Sequence, residues 1–244
     1  MKRQAYDYSG FSLKKITDPR FSHALLLIGW PVYFAMYFLT EKLIPYENCH
    51  PIHSFMDDLI PFNEYFLIFY VAWYALVIGS LAYTFFYDVP RFKKLQTYIM
   101  LTQALAMLCY IFYPSIQHLR PAAFERDNIF TRILGFIYAF DTPTGVCPSL
   151  HVGYSIAILS VGLKDEHLKK WQKTMLYIFV FFICISICFV KQHSFSDIYA
   201  AIIMCIIPEV ILFGKDYWLV TFSKLRNANH GTGQRLGKRY NHGS

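Results

Sequence analysis

The sequence predicts an all-α, polytopic membrane protein, and two observations support this prediction. Hydrophobic residues make up 55% of the 244 residues, and the mean hydropathy is positive, at +0.32. Both values differ from those of soluble globular domains. The apolar residues are also grouped into six runs of 15 to 23 residues. A helix needs ~20 predominantly apolar residues to cross the hydrocarbon layer, so each run is a candidate span.

We predict six transmembrane helices, at residues 22–40, 65–87, 95–113, 149–163, 174–190 and 197–214. The first follows a polar, basic leader at residues 1–21 and has no small-residue cleavage site, so we expect it to remain in the protein as a span. The fourth is short for a span. Together the six spans form one membrane domain at residues 22–214. The basic, Gly- and Asn-containing residues 215–244 are predicted to be a disordered tail.

Two of the connections are predicted to have structure of their own. Residues 41–64 are acidic and contain three prolines, which indicates an irregular loop or a re-entrant lid. Residues 124–140 mix charged and apolar residues at helical spacing, so we expect an amphipathic helix at the membrane interface. Cys49 and Cys147 lie in polar loops, and the sequence leaves open whether they form a disulfide bond.

The positive charge of the chain is explained by membrane topology. The net charge of +7 would by itself suggest a nucleic-acid partner. However, 18 of the 23 Lys and Arg residues lie in the leader, the tail and the loops after the second and fourth spans. The positive-inside rule therefore places both termini in the cytoplasm. We expect a lipid bilayer and a membrane lipid as partners, no nucleic acid, and an oligomeric state that the sequence does not define.

Three polar motifs lie at the borders of the apolar runs, on the side opposite to most of the positive charge. They are Arg120-Pro121, Pro148-Ser149-Leu150-His151 and the segment from Lys191 to Asp197, which contains His193. Residues four apart share one face of a helix, so Asp197 can keep one ring nitrogen of His193 protonated and leave the other free to attack. Because ionisable groups are costly at membrane borders, their grouping on one side indicates a phosphate site.

The order of these motifs resembles the three-part signature of the type 2 phosphatidic acid phosphatase superfamily. These are membrane lipid phosphate phosphatases related to the vanadium haloperoxidases, and their signature is K-x6-R-P, P-S-G-H and S-R-x5-H-x3-D. The similarity covers about the last two thirds of the chain, with 31 residues from Arg120 to His151 and 42 from His151 to His193. The resemblance implies a six-helix membrane fold and a phosphatase that needs no metal or other cofactor.

The resemblance also implies a role for each residue of the site. His193 would be the nucleophile that forms a phosphohistidine, and Asp197 would orient its ring. His151 would protonate the leaving oxygen and then activate water. Arg120 would bind the phosphoryl oxygens, and Ser149 with nearby backbone amides would complete the phosphate site.

The chain departs from the signature at three positions. Tyr113 replaces the Lys of the first motif, Leu150 replaces the Gly of the second, and Ile187 replaces the Arg of the third. Two phosphate-binding cations are therefore missing, and we expect Lys191, two residues before His193, to replace one of them. The Pro-Ser-Leu-His form also resembles the branch that includes the inositol phosphorylceramide synthases.

We therefore expect an integral membrane enzyme that hydrolyses a lipid phosphate or pyrophosphate at the extracytoplasmic face of the plasma membrane. Phosphatidate, diacylglycerol pyrophosphate and a polyprenyl pyrophosphate are the candidate substrates. The main alternative is a lipid phosphotransferase, in which an alcohol replaces water. The sequence also permits a metal site formed by both histidines and Asp197, or a transporter that uses Glu209 in the sixth span. An endomembrane with a lumenal site is equally compatible with the sequence.

Overall fold

A computed structural model describes residues 4–240, with side chains described as far as Tyr217. The protein is 70% helix and 2% strand, which confirms the all-α class. The described residues form the helices α1 (Gly29–Leu43), α2 (Phe55–Leu59), α3 (Leu67–Tyr87), α4 (Val89–Phe112), α5 (Ile129–Phe140), α6 (Leu150–Leu163), α7 (Lys170–Phe189) and α8 (Phe195–Tyr240). The strands β1 (His50–Pro51) and β2 (Ser115–Ile116) pair in parallel. Short 3-10 helices cover Leu13–Lys15, Ser22–Ile28, Tyr46–Asn48 and Glu64–Phe66.

Five helical segments in the described part of the chain are long and apolar enough to cross a membrane. They are Ser22–Leu43, Glu64–Tyr87, Val89–Phe112, Lys170–Phe189 and Phe195–Tyr217. Each overlaps one of the predicted spans. The remaining predicted span, at residues 149–163, corresponds to α6, which has 14 residues. At ~1.5 Å per residue α6 is ~21 Å long, which is shorter than the ~30 Å hydrocarbon core.

Helix α6 is short but central to the bundle. It packs against α3, α4, α7 and α8. Eight of its residues are buried, including Gly153, Tyr154 and Ala157. The small residues let neighbouring helices approach closely, which is how helices pack in the absence of water. Gly153 lies directly against Thr102 of α4. The two helices are therefore in contact at a position that leaves no space for a side chain.

The termini of the long helices form two opposite ends of the bundle. At the end that contains the three motifs, the motif end, the N–H of Asn63 donates to the carbonyl of Phe189 at 3.0 Å. At the other end, the basic end, Lys164 pairs with Glu209 at 2.7 Å. The three motifs contact one another at the motif end: Arg120 donates to the side chain of Gln192, and the N–H of Ser149 donates to the carbonyl of Asp197.

The two structured connections differ in detail from the predictions. The expected amphipathic helix at residues 124–140 begins at Ile129, because Asn128 caps it by accepting from the N–H groups of Phe130 and Thr131 at 2.9 and 3.1 Å. The expected lid at residues 41–64 contains β1 and α2. Its Ser54 and Asp57 form a reciprocal capping box at the start of α2.

The cysteines of the two polar loops are not bonded to each other. Cys49 and Cys147 are both free thiols, so the disulfide that the sequence left open is not formed in this structure. Both thiols have raised pKa values because they are partly removed from water. The pKa of Cys147 rises to about 12, and the negative charge of Asp197 adds to the effect of burial.

Helix α8 does not end at the expected end of the sixth span. Its backbone is helical from Phe195 to Tyr240, whereas the sequence predicts disorder from residue 215. No proline interrupts residues 215–240, so nothing in the backbone chemistry forces the helix to stop. The division between membrane domain and tail therefore remains a prediction, and residues 241–244 lie outside the described part of the chain.

The close contact of α4 and α6 gives a test of the fold. We expect Gly153→Ala to destabilise the protein by about 1–3 kcal/mol, because the added Cβ would lie 2.6 Å from Cγ2 of Thr102. Thr102 cannot easily move, since it is fully buried and its hydroxyl donates to the carbonyl of Tyr98. The measurement is the melting temperature of the purified protein in detergent.

Gly79 provides the matched control for this substitution. It lies in α3, and a Cβ added there has no neighbour within 4 Å. Gly79→Ala should leave the melting temperature unchanged or raise it slightly, since alanine favours the helix. Equal melting temperatures for the two variants would contradict the close packing of α4 against α6.

Candidate active site

His193 is held in one orientation and one tautomer. It lies in the turn between α7 and α8, and its Nδ1 is 3.0 Å from Oδ2 of Asp197 and 3.0 Å from the carbonyl oxygen of Val146. A carbonyl oxygen can only accept a hydrogen bond, so Nδ1 must carry the proton. In the neutral ring, Nε2 then has a free lone pair. The interaction of His193 with Asp197 that the sequence predicted is present.

Asp197 connects the second and third motifs. Its side chain is fully buried, and its Oδ2 also accepts from the N–H of Ser194 at 3.1 Å. Its main-chain carbonyl accepts from the N–H of Ser149 at 3.3 Å. The start of α6, which carries His151, is therefore tied to the start of α8. This link places the two histidines beside each other.

A carboxylate that the sequence motifs do not include fixes the turn before α8. Asp57 in the lid is 4% exposed, and it accepts from the hydroxyl of Ser194 at 2.6 Å and the N–H of Phe195 at 2.8 Å. The sequence contains one signal for Asp57, the Ser-x-x-Asp spacing of a capping box. That spacing predicts the local cap on Ser54, but it says nothing about the contact with Ser194, 137 residues away.

Lys191 is not at the position that the sequence predicted. Its ammonium group donates to the carbonyl oxygens of Asp57 and Ile60 at 2.9 and 2.6 Å, and Lys191 is not among the residues that line the cavity next to His193. Its backbone has φ = +51°, so the chain reverses sharply at this residue. The expectation that Lys191 binds phosphate is corrected: it attaches the lid to the turn before His193.

His151 faces His193 across the site. It lies in the first turn of α6, with its ring centroid 5.7 Å from that of His193. The ring is packed between Tyr70 and Trp73 of α3, at centroid distances of 4.6 and 4.1 Å. Its Nε2 is buried and has no hydrogen-bond partner among the described residues. Aromatic packing thus fixes the plane of the ring while one nitrogen remains free for a ligand or a proton.

Arg120 lies one layer behind the cavity. Its Nη1 donates to the carbonyls of Tyr138 and Asp141 at 3.1 and 2.8 Å. Its Nη2 donates to the side-chain oxygen of Gln192 at 2.6 Å and, at 3.4 Å, to the carbonyl of Thr142. The guanidinium is near the site, as predicted, but it mainly holds the loop after α5 in place.

Gln192 is a site residue that the sequence did not predict. It is 2% exposed and lines the cavity next to His193. Because its Oε1 accepts from Arg120, its amide nitrogen must point the other way, and this Nε2 has no partner among the described residues. Ser149 is also fully buried with its hydroxyl unpartnered in the described part of the chain, although it does not line the cavity.

A cavity of about 920 Å³ extends from the two histidines along α1 and α3. Its walls are mostly apolar and aromatic, and it reaches Phe85 and Phe86 near the basic end of the bundle. Phe86 lies 16 residues after Tyr70 on α3, which corresponds to ~24 Å along the helix. A cavity of this shape, apolar over most of its length and polar at one end, suits a lipid with its head group at the histidines.

The titratable groups that line the cavity are unusual for a phosphate site. The described lining contains both histidines and the carboxylates of Glu41 and Asp141, but no Lys or Arg. Burial raises the pKa of the Asp141 carboxyl, His193 and Arg120 lower it in part, and Glu41 raises it further. The protein therefore does not fully stabilise the charged form of Asp141, and the described lining brings no lysine or arginine to this end of the cavity.

The departures from the family signature place no cation in the site. Tyr113, at the position of the missing Lys, stacks on His50 with 4.3 Å between ring centroids. Ile187, at the position of the missing Arg, is fully buried in the core. The two positions therefore serve packing, and with Lys191 bound to carbonyl groups, no described lysine or arginine side chain lines the site.

The geometry also bears on the metal site and the transporter that the sequence permitted. Among the described residues, no group of three or more His, Cys, Asp or Glu side chains is arranged to hold a metal ion. Glu209, the candidate transport residue, accepts from Lys164 and from Ser160 at 2.7 and 2.6 Å at the basic end. Its partners are at the end of the bundle opposite to the histidines.

Comparisons with known proteins give no match: no protein-family model, no curated protein and no solved structure matches this chain. The resemblance of the motifs to the phosphatidic acid phosphatases therefore remains a prediction from the sequence. The function must be argued from the geometry of the site.

The position of Lys191 gives a test of whether this side chain stabilises the fold or binds phosphate. We expect Lys191→Met to lower stability by about 1–3 kcal/mol, because it leaves two carbonyl groups without a charged donor. The affinity for vanadate, a phosphate analogue, should change by less than about threefold, which is about 0.65 kcal/mol. The measurements are the melting temperature and a vanadate titration.

The exposed Lys42, in the last turn of α1, provides the matched control. Lys42→Met should change neither quantity. If Lys191→Met weakened vanadate binding tenfold or more at an unchanged melting temperature, the expectation that Lys191 binds phosphate would be restored.

Proposed function

We propose that the chain is an integral membrane enzyme that hydrolyses a lipid phosphate or pyrophosphate through a phosphohistidine on His193. One observation carries this proposal. His193 has its Nδ1 fixed by the buried Asp197, lines the polar end of a long apolar cavity, and faces His151 across 5.7 Å. An oriented nucleophile, a second titratable ring and a groove for a lipid tail are the parts that such a reaction needs.

In the first half-reaction, Nε2 of His193 attacks the phosphorus atom, and the bond from phosphorus to the lipid oxygen breaks. His151 gives its proton to that oxygen, so a lipid phosphate leaves as a neutral alcohol. With a pyrophosphate, the terminal phosphorus is attacked, the bridging oxygen takes the proton, and the lipid leaves as its monophosphate. The ring of His193 then bears a positive charge, which the carboxylate of Asp197 stabilises without taking the proton. The space between the two rings is where the phosphoryl group would lie.

In the second half-reaction, His151 accepts a proton from water, and the resulting hydroxide attacks phosphorus. The phosphorus–nitrogen bond breaks, phosphate leaves, and His193 returns to its neutral form. Hydrogen-bond donors that point toward the phosphoryl oxygens lower the barrier of both steps. The amide nitrogen of Gln192, which lines the cavity, is the main candidate, and the hydroxyl of Ser149 is the second; neither has a partner among the described residues. Arg120 supports Gln192 from behind.

The membrane placement is part of the proposal. Five long apolar helices suit an integral membrane protein, and we infer that α6 completes a set of six spans at residues 22–214. Arg91, Lys94 and Lys164 lie at the basic end, so the positive-inside rule favours cytoplasmic termini and a site at the extracytoplasmic face. We propose the plasma membrane as its location.

A lipid phosphotransferase of the inositol phosphorylceramide synthase type is the second candidate function. The observation that favours it is the pair of carboxylates, Glu41 and Asp141, at the polar end of the cavity. Carboxylates accept hydrogen bonds from hydroxyl groups and so could position an alcohol acceptor. A product that forms only when an alcohol is added would distinguish transfer from hydrolysis.

The test of the proposed function is phosphate release from phosphatidate, diacylglycerol pyrophosphate and a polyprenyl pyrophosphate by the purified protein in detergent with EDTA. We expect His193→Ala to lower the rate at least about 1,000-fold, because the nucleophile is lost. His118→Ala should retain full activity, since His118 is exposed and does not line the cavity. Release at the wild-type rate by His193→Ala would disprove the proposal.

The role of Gln192 gives a second prediction. We expect Gln192→Ala and Gln192→Glu to lower kcat about 10- to 100-fold with a smaller change in KM, because the lost donor acts mainly in the transition state. Gln192→Glu keeps the oxygen that accepts from Arg120, so it separates the donor role from support of the loop. Full activity of Gln192→Glu would exclude the amide nitrogen as a catalytic donor.

A further inference from the structure

The charge at the polar end of the cavity does not suit a phosphate monoester. Such a group carries up to two negative charges, and it would meet the carboxylates of Glu41 and Asp141 with no described Lys or Arg in the lining. The nearest cations are already bound to other groups. Lys191 donates to two carbonyls, and the terminal nitrogens of Arg120 donate to the main-chain oxygen of Asp141 and the side-chain oxygen of Gln192. Like charges at close range oppose binding.

The two carboxylates form a single negative site. The hydroxyl of Thr142 donates to Glu41, which holds this side chain beside Asp141. Arg120 reaches Asp141 only at 3.9 Å, and the Asp141 side chain keeps 42% of its exposure because it faces the cavity. Glu41 lies in the last turn of α1, and Asp141 directly follows α5. Helix C-termini carry partial negative charge, so both positions favour a cation.

Aromatic rings surround this negative site. Tyr33, Tyr37 and Glu41 are four residues apart on α1, so they share one face of the helix, and all three line the cavity. Tyr74 and Phe140 line the same cavity from α3 and α5. Aromatic faces together with carboxylates form the usual site for an ammonium group, because the ring faces and the acids both attract positive charge.

The negative site is adjacent to the phosphate site. One nitrogen of Arg120, Nη2, is 2.6 Å from the side-chain oxygen of Gln192 and 3.9 Å from Oδ2 of Asp141. Gln192 directly precedes His193. A ligand with its phosphorus at His193 and a positive charge a few bonds away would match both sites at once.

We propose that the substrate is a zwitterionic phosphodiester lipid, whose ammonium head group binds between Glu41 and Asp141 while its phosphate lies at His193. This inference rests on the phosphohistidine chemistry proposed above, and it replaces the phosphate monoester or pyrophosphate of that proposal with a phosphodiester at the same site. The single negative charge of a phosphodiester also requires fewer cations than a monoester, which agrees with a site that has lost two of them.

The reaction follows from this placement. Nε2 of His193 attacks phosphorus, and the bond to the diacylglycerol oxygen breaks, since the head group is held at the acids and the lipid lies along the apolar groove. His151 donates the proton to the leaving oxygen. Water, deprotonated by His151, then breaks the phosphorus–nitrogen bond. One lipid and one water give diacylglycerol and a phosphorylated amino alcohol, with no oxidant or metal consumed.

The test compares three lipids that yield the same product. The full-length protein in detergent is given phosphatidylcholine, phosphatidylglycerol or phosphatidate, and diacylglycerol is measured. We expect kcat/KM for phosphatidylcholine to exceed that for phosphatidate at least tenfold. Glu41→Gln and Asp141→Asn should each lower this ratio at least tenfold. Glu47→Gln, which changes an exposed acid of the same connection, should leave the ratio unchanged.

A measurement on the wild-type protein removes any dependence on the folding of the variants. Dodecylphosphocholine should compete with substrate at least tenfold better than dodecyl phosphate, because only the former carries an ammonium group. A higher kcat/KM for phosphatidate than for phosphatidylcholine would overturn the inference. Equal inhibition by the two detergents would overturn it as well. So would variants of Glu41 and Asp141 that lose the same fraction of activity with all three lipids. Preference for phosphatidylglycerol would replace the ammonium site with a site for a hydroxylated head group.

The outcome also separates this inference from the proposed function. Turnover of phosphatidate alone, lost in His193→Ala, would leave the proposed phosphatase intact and reject the ammonium site. The absence of diacylglycerol with all three lipids, and of phosphate release from the pyrophosphates, would reject both.

Discussion

The buried carboxylate of Asp197 is the group on which the arrangement of the site depends. A buried carboxylate is unfavourable unless donors surround it. Here the donors are Nδ1 of His193 and the N–H of Ser194, while the main-chain oxygen of the same residue accepts from Ser149. These contacts of Asp197 therefore fix the ring of His193, the turn before α8 and the start of α6. The position of His151 follows, because it lies two residues after Ser149.

Lys191 and Arg120, two cations of the motif end, also hold backbone segments in place. Lys191 attaches the lid to the turn, and Arg120 gathers the carbonyls that follow α5. Both would otherwise be the natural ligands of a phosphate. Because they are bound to the backbone, the surface that faces the cavity consists of histidines, carboxylates and aromatic rings. The described lining thus contains two carboxyl groups and no lysine or arginine, and this is the arrangement on which the proposed ammonium site rests.

The short helix α6 has a related explanation. It begins at the motif end of the bundle, where its first turn places the ring of His151 with its centroid 5.7 Å from that of His193. Protein surrounds it on several sides, through α3, α4, α7 and α8. A helix packed on several sides in this way need not match the thickness of the hydrocarbon layer on its own, because much of its surface contacts protein. The contact of Gly153 with Thr102 is what allows this enclosure.

The sequence by itself determined the helical class, the five long apolar helices and the pairing of His193 with Asp197. These features depend on composition and on spacing along one helix, which are local properties. Only the tertiary structure decided that Lys191 binds carbonyl groups, that Gln192 and not Arg120 lines the cavity, and that Asp57 fixes the turn 137 residues away. These facts concern which distant groups meet, and a long, flexible side chain has many possible partners. Spacing in the sequence restricts neighbours on one helix, whereas the choice among distant partners is made by packing and by the hydrogen bonds that most buried polar groups need.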